Sequence, residues 1–183
     1  IGKRYTLELG GKAANIIFAD AAIDQAVEGI VNGIFFNQGH VCCAGSRLYV
    51  EESVADEIIT KLKDRMATLI LGDPLDKNTD IGAINSRVQL DKIRMYMKIG
   101  KDEGGEVYQS NCSLPERGFW HPPTLFTGVS QSHRVVQEEI FGPVLAIQTF
   151  RTVEEAIQGV VSSPTRCAAA KSSIICRVRV ERP

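Results

Sequence analysis

The chain has 183 residues, a length that fits one domain or slightly more and is sufficient to bury a hydrophobic core. Apolar residues make up 44% and charged residues 23% of the sequence, as in an ordinary soluble globular protein. The formal net charge of -1 gives no electrostatic indication of nucleic acid or a membrane surface as a partner. No apolar run approaches the roughly 20 residues that span a bilayer.

The first part of the chain alternates predicted strands with a predicted helix. Strands are indicated over 5–9 and 15–19, and Asp20 is in position to cap the helix that follows. Over 23–36 apolar residues recur at helical spacing. The glycine-flanked stretch 39–45 is predicted to be a loop.

The middle of the chain repeats this alternation. A strand over 47–51 precedes Ser53, which together with Asp56 resembles a capping box for a further helix. Gly, Pro, Asp and Asn residues over 71–82 predict a loop, and a helix follows over 86–99.

The last predicted elements complete an α/β pattern. Strands are indicated over 106–110, 123–129 and 144–150, and a helix starts at 152–157. The alternation predicts an α/β fold with a mainly parallel sheet and flanking helices. From Gln158 the sequence becomes basic, rich in small residues and weakly periodic.

The cysteine content argues against both a disulfide framework and a metal centre. The five cysteines are odd in number and irregular in spacing, which indicates a reducing, cytoplasmic compartment. No second pair with zinc-ligand spacing accompanies the adjacent Cys42 and Cys43, so no metal site is predicted.

Three stretches together resemble the NAD(P)-dependent aldehyde dehydrogenases. They are LELGGK at 7–12, NQGHVCCAGSR at 37–47 and EEIFGPV at 138–144, and their order and separations match that family. The resemblance runs from about residue 3 to residue 157. It implies the family's catalytic domain in incomplete form, an aldehyde as substrate, and NAD or NADP as cofactor.

The resemblance implies a catalytic pair. Cys42 falls on the nucleophile that attacks the aldehyde carbonyl, and sulfur suits this role because a thiolate is both a good nucleophile and a good leaving group. Glu8 falls on the base that activates water, for which partial burial of a carboxylate is useful. Cys43 falls on a variable position.

The same resemblance implies the cofactor contacts. Glu139 falls on the carboxylate that binds the nicotinamide ribose, and Phe141 on the aromatic residue beside that ribose. Gln89 and Lys92 align with secondary ribose contacts and share one face of the helix over 86–99.

The chain departs from the family pattern in three places. His40 and Val41 stand where many relatives carry Gln and Cys, so the substrate range is expected to differ while the mechanism survives. The sequence begins without Met and without the glycine motif of the cofactor domain, which is expected to lie upstream. We therefore interpret 1–157 as a catalytic-domain portion and 158–183 as a divergent, poorly ordered tail without the family's oligomerisation arm, although the family suggests a homo-oligomer.

Structural alternatives stand beside these roles. Cys42 could be a small core residue, Glu8 and Glu139 could be surface charges, and His40 with Cys42 could suggest a protease-like pair. The chain as a whole could be a non-catalytic truncated fragment that lacks the cofactor domain, or an esterase that acts through Cys42 without cofactor. The sequence leaves open the aldehyde and the choice between NAD and NADP.

Overall fold

The computed structural model describes residues 2–4, 9–162 and 174–176. Within these ranges six strands form one sheet: β1 (Ala14–Ile17), β2 (Arg47–Glu51), β3 (Glu106–Gln109), β4 (Thr124–Thr127), β5 (Val144–Phe150) and β6 (Ile174–Cys176). The helices of the same ranges are α1 (Ile23–Phe35), α2 (Ala55–Ala67), α3 (Arg87–Asp102), α4 (Arg134–Gln137) and α5 (Val153–Val161).

The sheet is mostly parallel, as the alternation of elements predicts. The strand order is β3-β4-β5-β2-β1-β6. In the described part of the chain β3 pairs antiparallel with β4, and each other neighbouring pair is parallel. The predicted α/β fold with flanking helices is confirmed.

Both faces of the sheet are buried. Leu48 of β2 and Leu145 of β5 belong to the core that α1 and α2 cover. Tyr49, the next residue of β2, packs on the opposite face with Phe150 and with Ala156 of α5. Strands that are buried on both faces read as almost continuous apolar runs, which is the pattern of β2 and β5.

Two predicted helix caps are wrong. The N-cap of α1 is Ala22, and no side chain caps this helix, so the cap predicted at Asp20 does not form. Helix α2 has Val54 as its N-cap after a short 3₁₀ turn, so Ser53 is not a cap either. The N-cap lies two residues after Asp20 in the first case and one residue after Ser53 in the second.

Two other helices have side-chain caps. The hydroxyl of Ser86 accepts a hydrogen bond from the backbone N–H of Gln89 at the start of α3, at 3.2 Å. Thr152 caps α5 in the same way through Glu155. The cap at Ser86 fixes the first turn of α3, and this turn carries Gln89.

Some element bounds differ from the predicted ones. Helix α3 continues past residue 99 to Asp102, whereas the helix predicted to start at 152–157 is α5, which ends at Val161. The strand predicted over 5–9 falls largely outside the described residues. None of the helices in the described ranges is both long and apolar enough to cross a bilayer.

The fold brings the three motif segments to one edge of the sheet. Residues 9–11 precede β1, residues 37–46 precede β2, and residues 138–143 precede β5. Strands β5, β2 and β1 are neighbours and run parallel, so their amino ends lie side by side. The segments that enter these strands therefore meet.

We expect β2, one of the two central strands of the sheet, to contribute strongly to the stability of this chain. Replacing Leu48, which is 0% exposed, by Ala should lower the free energy of unfolding by about 2–5 kcal/mol, because a buried side chain is lost and a cavity remains. The matched control is Leu75→Ala at a side chain that is 90% exposed, with an expected change within about 0.5 kcal/mol. Urea unfolding measures both changes, and equal effects would contradict the described core.

Candidate active site

An open cleft gathers most of the residues that the sequence predicts to be functional. Its volume is about 380 Å³. The residues that line it are Leu9, Gly10, Cys42, Gln89, Lys92, Glu139 and Phe141. Five of the six predicted site residues thus lie around one cavity, although they come from three separate parts of the chain.

The sixth predicted residue, Glu8, lies outside the described residues. Its role as the base stays a prediction. The two residues that follow it, Leu9 and Gly10, line the cleft.

The loop over 37–46, here called the Cys42 loop, begins with a sharp turn at the end of α1. Asn37, Gln38 and Gly39 have φ values of 49°, 48° and 75°, which lie in the left-handed region. The side-chain amide of Asn37 donates to the carbonyl of His40 at 3.1 Å. Positive φ at two consecutive non-glycine residues is uncommon and is typical of functional segments that the surrounding structure holds in place.

The thiols of Cys42 and Cys43 are both exposed and free. They occupy a turn that is closed by a hydrogen bond from the backbone N–H of Ala44 to the carbonyl of Val41, at 3.0 Å. The alternative that Cys42 is a small core residue is therefore wrong. Cys112, by contrast, is half-buried, and burial raises the pKa of its thiol.

Glu139 lies in the segment before β5 and contacts the residues that follow Glu8. One oxygen of its carboxylate accepts a hydrogen bond from the backbone N–H of Gly11 at 2.8 Å. The other oxygen would be 2.5 Å from a Cβ atom at Gly10. A glycine at position 10 thus leaves the space that this carboxylate occupies.

The two adjacent carboxylates have different partners. Glu138 accepts hydrogen bonds from the guanidinium of Arg134 at 2.7 Å and from the hydroxyl of Tyr96 at 2.7 Å. The bond with Arg134 is the main reason why the pKa of the Glu138 carboxyl is lowered. Glu138 is thus held by α4 and α3, whereas Glu139 lines the cleft.

Phe141 joins the segment 138–143 to the Cys42 loop. It has a positive φ of 59°, and its ring stacks on the imidazole of His40 with centroids 5.4 Å apart and planes 3° from parallel. A Cβ atom at Gly39 would overlap the carbonyl of Gly142, so the two backbones are also in close contact. The two segments pack directly against each other.

His40 has a structural role that the sequence did not indicate. Its ring contacts Phe141, and its Nδ1 atom lies 3.5 Å from the side-chain amide nitrogen of Gln38. Burial lowers the pKa of the imidazole, which favours the neutral form of the ring that stacks on Phe141. The feature that could have drawn attention to His40 was its presence where many relatives carry Gln.

Gln89 lines the cleft and also bonds to the backbone of the segment 138–143. Its side-chain amide donates to the carbonyls of Ile140 and Phe141, at 2.9 Å and 2.7 Å. The amide therefore faces the backbone of the segment 138–143. Lys92, three residues later on α3, lines the same cleft.

Lys12 is a buried cation that the sequence analysis did not single out. It is 3% exposed, and its Nζ atom has no hydrogen-bond partner within the described ranges. Burial lowers the pKa of its ammonium group to about 7, and the nearby charge of Arg47 acts in the same direction. Glu139 and Glu138 act in the opposite direction.

No group of three or more His, Cys, Asp or Glu side chains in the described part of the chain could hold a metal ion.

Comparison with known proteins shows the family. The sequence profile described as "Aldehyde dehydrogenase family" matches residues 1–172, which is most of the chain. The chain belongs to the aldehyde dehydrogenase family. It is 46% identical to an aldehyde dehydrogenase of Davidiella tassiana over 156 residues, which cover 85% of this chain and 32% of the relative. It is 44% identical to retinal dehydrogenase 2 of Gallus gallus over 168 residues, which cover 92% of this chain and 32% of the relative.

Solved structures of aldehyde dehydrogenases have the same fold over this region. An NAD-dependent aldehyde dehydrogenase from Sinorhizobium meliloti matches with a TM-score of 0.80 and 40% identity, over 84% of this chain and 30% of that one. Betaine aldehyde dehydrogenase from Staphylococcus aureus in complex with NAD+ matches with a TM-score of 0.79 and 40% identity, over 83% and 31%. The chain thus spans about a third of the length of the aldehyde dehydrogenases that it matches.

We expect Gly39 to be required for the contact between the two loops. Gly39→Ala should lower the free energy of unfolding by about 1–3 kcal/mol, because φ is positive there and the new Cβ meets the carbonyl of Gly142. The control is Gly29→Ala in α1, where the Cβ has no neighbour within 4 Å and a gain of about 0.5–1 kcal/mol is expected. Urea unfolding measures both, and a loss at Gly29 with a gain at Gly39 would contradict this geometry.

We also expect the charge of Lys12 to make stability depend on pH. Because its pKa falls from 10.5 to about 7 on folding, the unfolded chain binds more protons between these values, and stability should rise with pH across that window. The unfolding free energy of the wild type relative to Lys12→Met should therefore increase from pH 7 to 10, by at most about 1.4 kcal/mol per pH unit. Urea unfolding at several pH values measures this.

The control for Lys12 is Lys98→Met, at an exposed lysine of α3. Its unfolding free energy relative to the wild type should not change with pH over this range, because its side chain stays in contact with solvent in the folded chain. If the difference in unfolding free energy between the wild type and Lys12→Met does not change with pH, Lys12 is not buried as an unpaired amine.

Proposed function

We propose that this chain is the part of an NAD(P)-dependent aldehyde dehydrogenase that supplies the nucleophilic cysteine and the ribose-binding carboxylate. The reaction of the whole enzyme would be the oxidation of an aldehyde to a carboxylic acid. The observation that carries this proposal is the single cleft that joins the exposed Cys42 to Glu139, Phe141, Lys92 and Gln89.

The proposed chemistry begins at Cys42. Its thiolate attacks the carbonyl carbon of the aldehyde, a C–S bond forms, and the carbonyl π electrons move to oxygen, where the backbone N–H of Cys42 stabilises the charge. A bound NAD(P)+, held by Glu139, Phe141 and Lys92, would supply the acceptor for the hydride that leaves this carbon with its electron pair. A thioester to Cys42 remains.

The second half of the reaction releases the acid. Glu8 takes a proton from water, the resulting oxygen nucleophile attacks the thioester carbon, and the C–S bond breaks so that its electrons return to the sulfur of Cys42. Gly10 and Gly11 follow Glu8 and contact the carboxylate of Glu139. The short segment 8–11 would thus carry the base, Glu8, and also contact the carboxylate of Glu139.

The residues around the cleft fit a nicotinamide ribose. Glu139 offers a carboxylate oxygen next to the glycine at position 10, and carboxylates pair well with the two hydroxyl groups of a ribose. Phe141 offers an aromatic ring at the same edge, and Lys92 offers a donor. These residues would hold the nicotinamide half of the cofactor, and the sequence leaves the choice between NAD and NADP open.

The substrate is proposed as a class. The matched relatives are named for retinal, for betaine aldehyde and for aldehydes in general, so we propose a small-molecule aldehyde without choosing a member. The adjacent exposed thiols fit a reducing compartment such as the cytoplasm. Assembly into a homo-oligomer stays a prediction.

The alternative is a truncated product that does not turn over. The observation in its favour is that the chain spans about a third of the length of its relatives. In this case the cleft would lack groups that the reaction needs, and neither acid nor NAD(P)H would form. The division into a catalytic portion, 1–157, and a divergent tail, 158–183, applies to both interpretations and stays a prediction.

Site-resolved thiol labelling tests the proposed function. The purified chain is treated at neutral pH with limiting iodoacetamide, with and without NAD+, and all five cysteines are mapped by mass spectrometry. We expect Cys42 to be labelled ahead of Cys43, and NAD+ to change the labelling of Cys42. In Glu139→Gln the NAD+ concentration for half of this effect should rise about tenfold, because a charge-assisted hydrogen bond is lost.

Glu138→Gln is the matched control, since its carboxylate binds Arg134 and Tyr96 and not the cleft. This variant should leave unchanged the NAD+ concentration that gives half of the effect on Cys42 labelling. Equal labelling of all cysteines, with no effect of NAD+, would refute a formed site and favour the fragment. Ester hydrolysis that needs Cys42 but never yields NAD(P)H would favour the esterase.

A further inference from the structure

We propose that Gln89 is a positioning residue that holds the Phe141 turn, and through it the thiol of Cys42. The inference rests on the proposed function for its meaning, but its evidence is the geometry alone. Nε2 of Gln89 donates to the carbonyl oxygens of Ile140 and Phe141 at 2.9 Å and 2.7 Å. A side-chain amide has two N–H groups, and both are used here.

The backbone at Phe141 needs such support. Its φ of 59° is in the left-handed region, which a bulky aromatic residue rarely adopts. A residue stays in this conformation only when surrounding groups fix it. The amide of Gln89 bonds to the carbonyls on either side of the Phe141 N–Cα bond, so it constrains the rotation that would relax this φ value.

Helix α3 makes a second contact with the same turn. A Cβ atom at Gly142 would be 2.6 Å from Cδ1 of Ile93, so α3 packs closely against the residue after Phe141. Ser86 caps α3 by accepting the backbone N–H of Gln89 itself. Gln89 is therefore fixed at its own backbone and is able to act as a rigid support for the turn.

The turn at Phe141 also supports the Cys42 loop. The Phe141 ring stacks on His40, and the carbonyl of Gly142 lies against Gly39. His40 and Gly39 precede Cys42 by two and three residues. If the Phe141 turn relaxes, the ring stack with His40 is lost, and the loop that carries Cys42 loses one of its packing contacts.

The test replaces Gln89 by Met, which keeps the length of the side chain and removes both donors. The first readout is amide hydrogen exchange in the peptide 138–144, and the second is the ratio of Cys42 to Cys43 labelling by limiting iodoacetamide. Exchange in 138–144 should become about tenfold faster, because two hydrogen bonds that close the turn are lost. The labelling ratio should move towards one, a change that a residue serving only to fill space would not cause.

A second variant, Gln89→Glu, keeps the test decisive if the Met variant does not fold. At neutral pH its carboxylate faces two carbonyls and cannot donate, so it should behave as the Met variant does. Protonation at lower pH restores one O–H donor, and exchange relative to the wild type at the same pH should return towards one. Lys98→Met, on the exposed side of α3, is the control and should match the wild type in both readouts.

A folded Gln89→Met chain with wild-type exchange and wild-type labelling would overturn the proposal. So would a Gln89→Glu chain whose exchange relative to the wild type does not change with pH. Failure of the proposed function is distinguishable, because neither readout uses cofactor. In that case NAD+ would leave the labelling of wild-type Cys42 unchanged, while the exchange in 138–144 would still depend on Gln89.

Discussion

The register of three parallel strands is the constraint on which the candidate site depends. Arg47 at the start of β2 pairs with Ala14 of β1 on one side and with Ala146 of β5 on the other. The segments that enter these strands are therefore held side by side, although they are about 30 and 95 residues apart in the chain. A slip of one residue would turn the side chains of a strand to the opposite face and separate the loops.

Within that frame the loops hold each other by direct contacts. Gly11 donates to Glu139, the Phe141 ring stacks on His40, and Gly39 lies against Gly142. Glycines at the points of closest approach leave no Cβ to push the segments apart. Backbone and side-chain contacts thus hold the loop that carries the exposed thiol of Cys42, and the only deeply buried ammonium at the site among the described residues is that of Lys12.

The sequence predicted the members of the site better than their contacts. The motifs located Cys42, Glu139, Phe141, Gln89 and Lys92, and the structure gathers all five around one cleft. The bonds of Gln89 to two carbonyls were not predictable, because they depend on the angle at which α3 meets the segment before β5. The caps at Asp20 and Ser53 failed for a related reason: propensity is local, whereas packing decides where a helix begins.

By itself, the sequence determined the family and the α/β alternation, because these follow from residue type, spacing and order along the chain. The tertiary structure alone decided that Cys42 is exposed, that Glu138 is bound to Arg134 while Glu139 lines the cleft, and that Lys12 is buried without a partner in the described ranges. The physical reason is that exposure, burial and hydrogen-bond choice arise from contacts between distant segments, and a linear pattern does not contain their geometry.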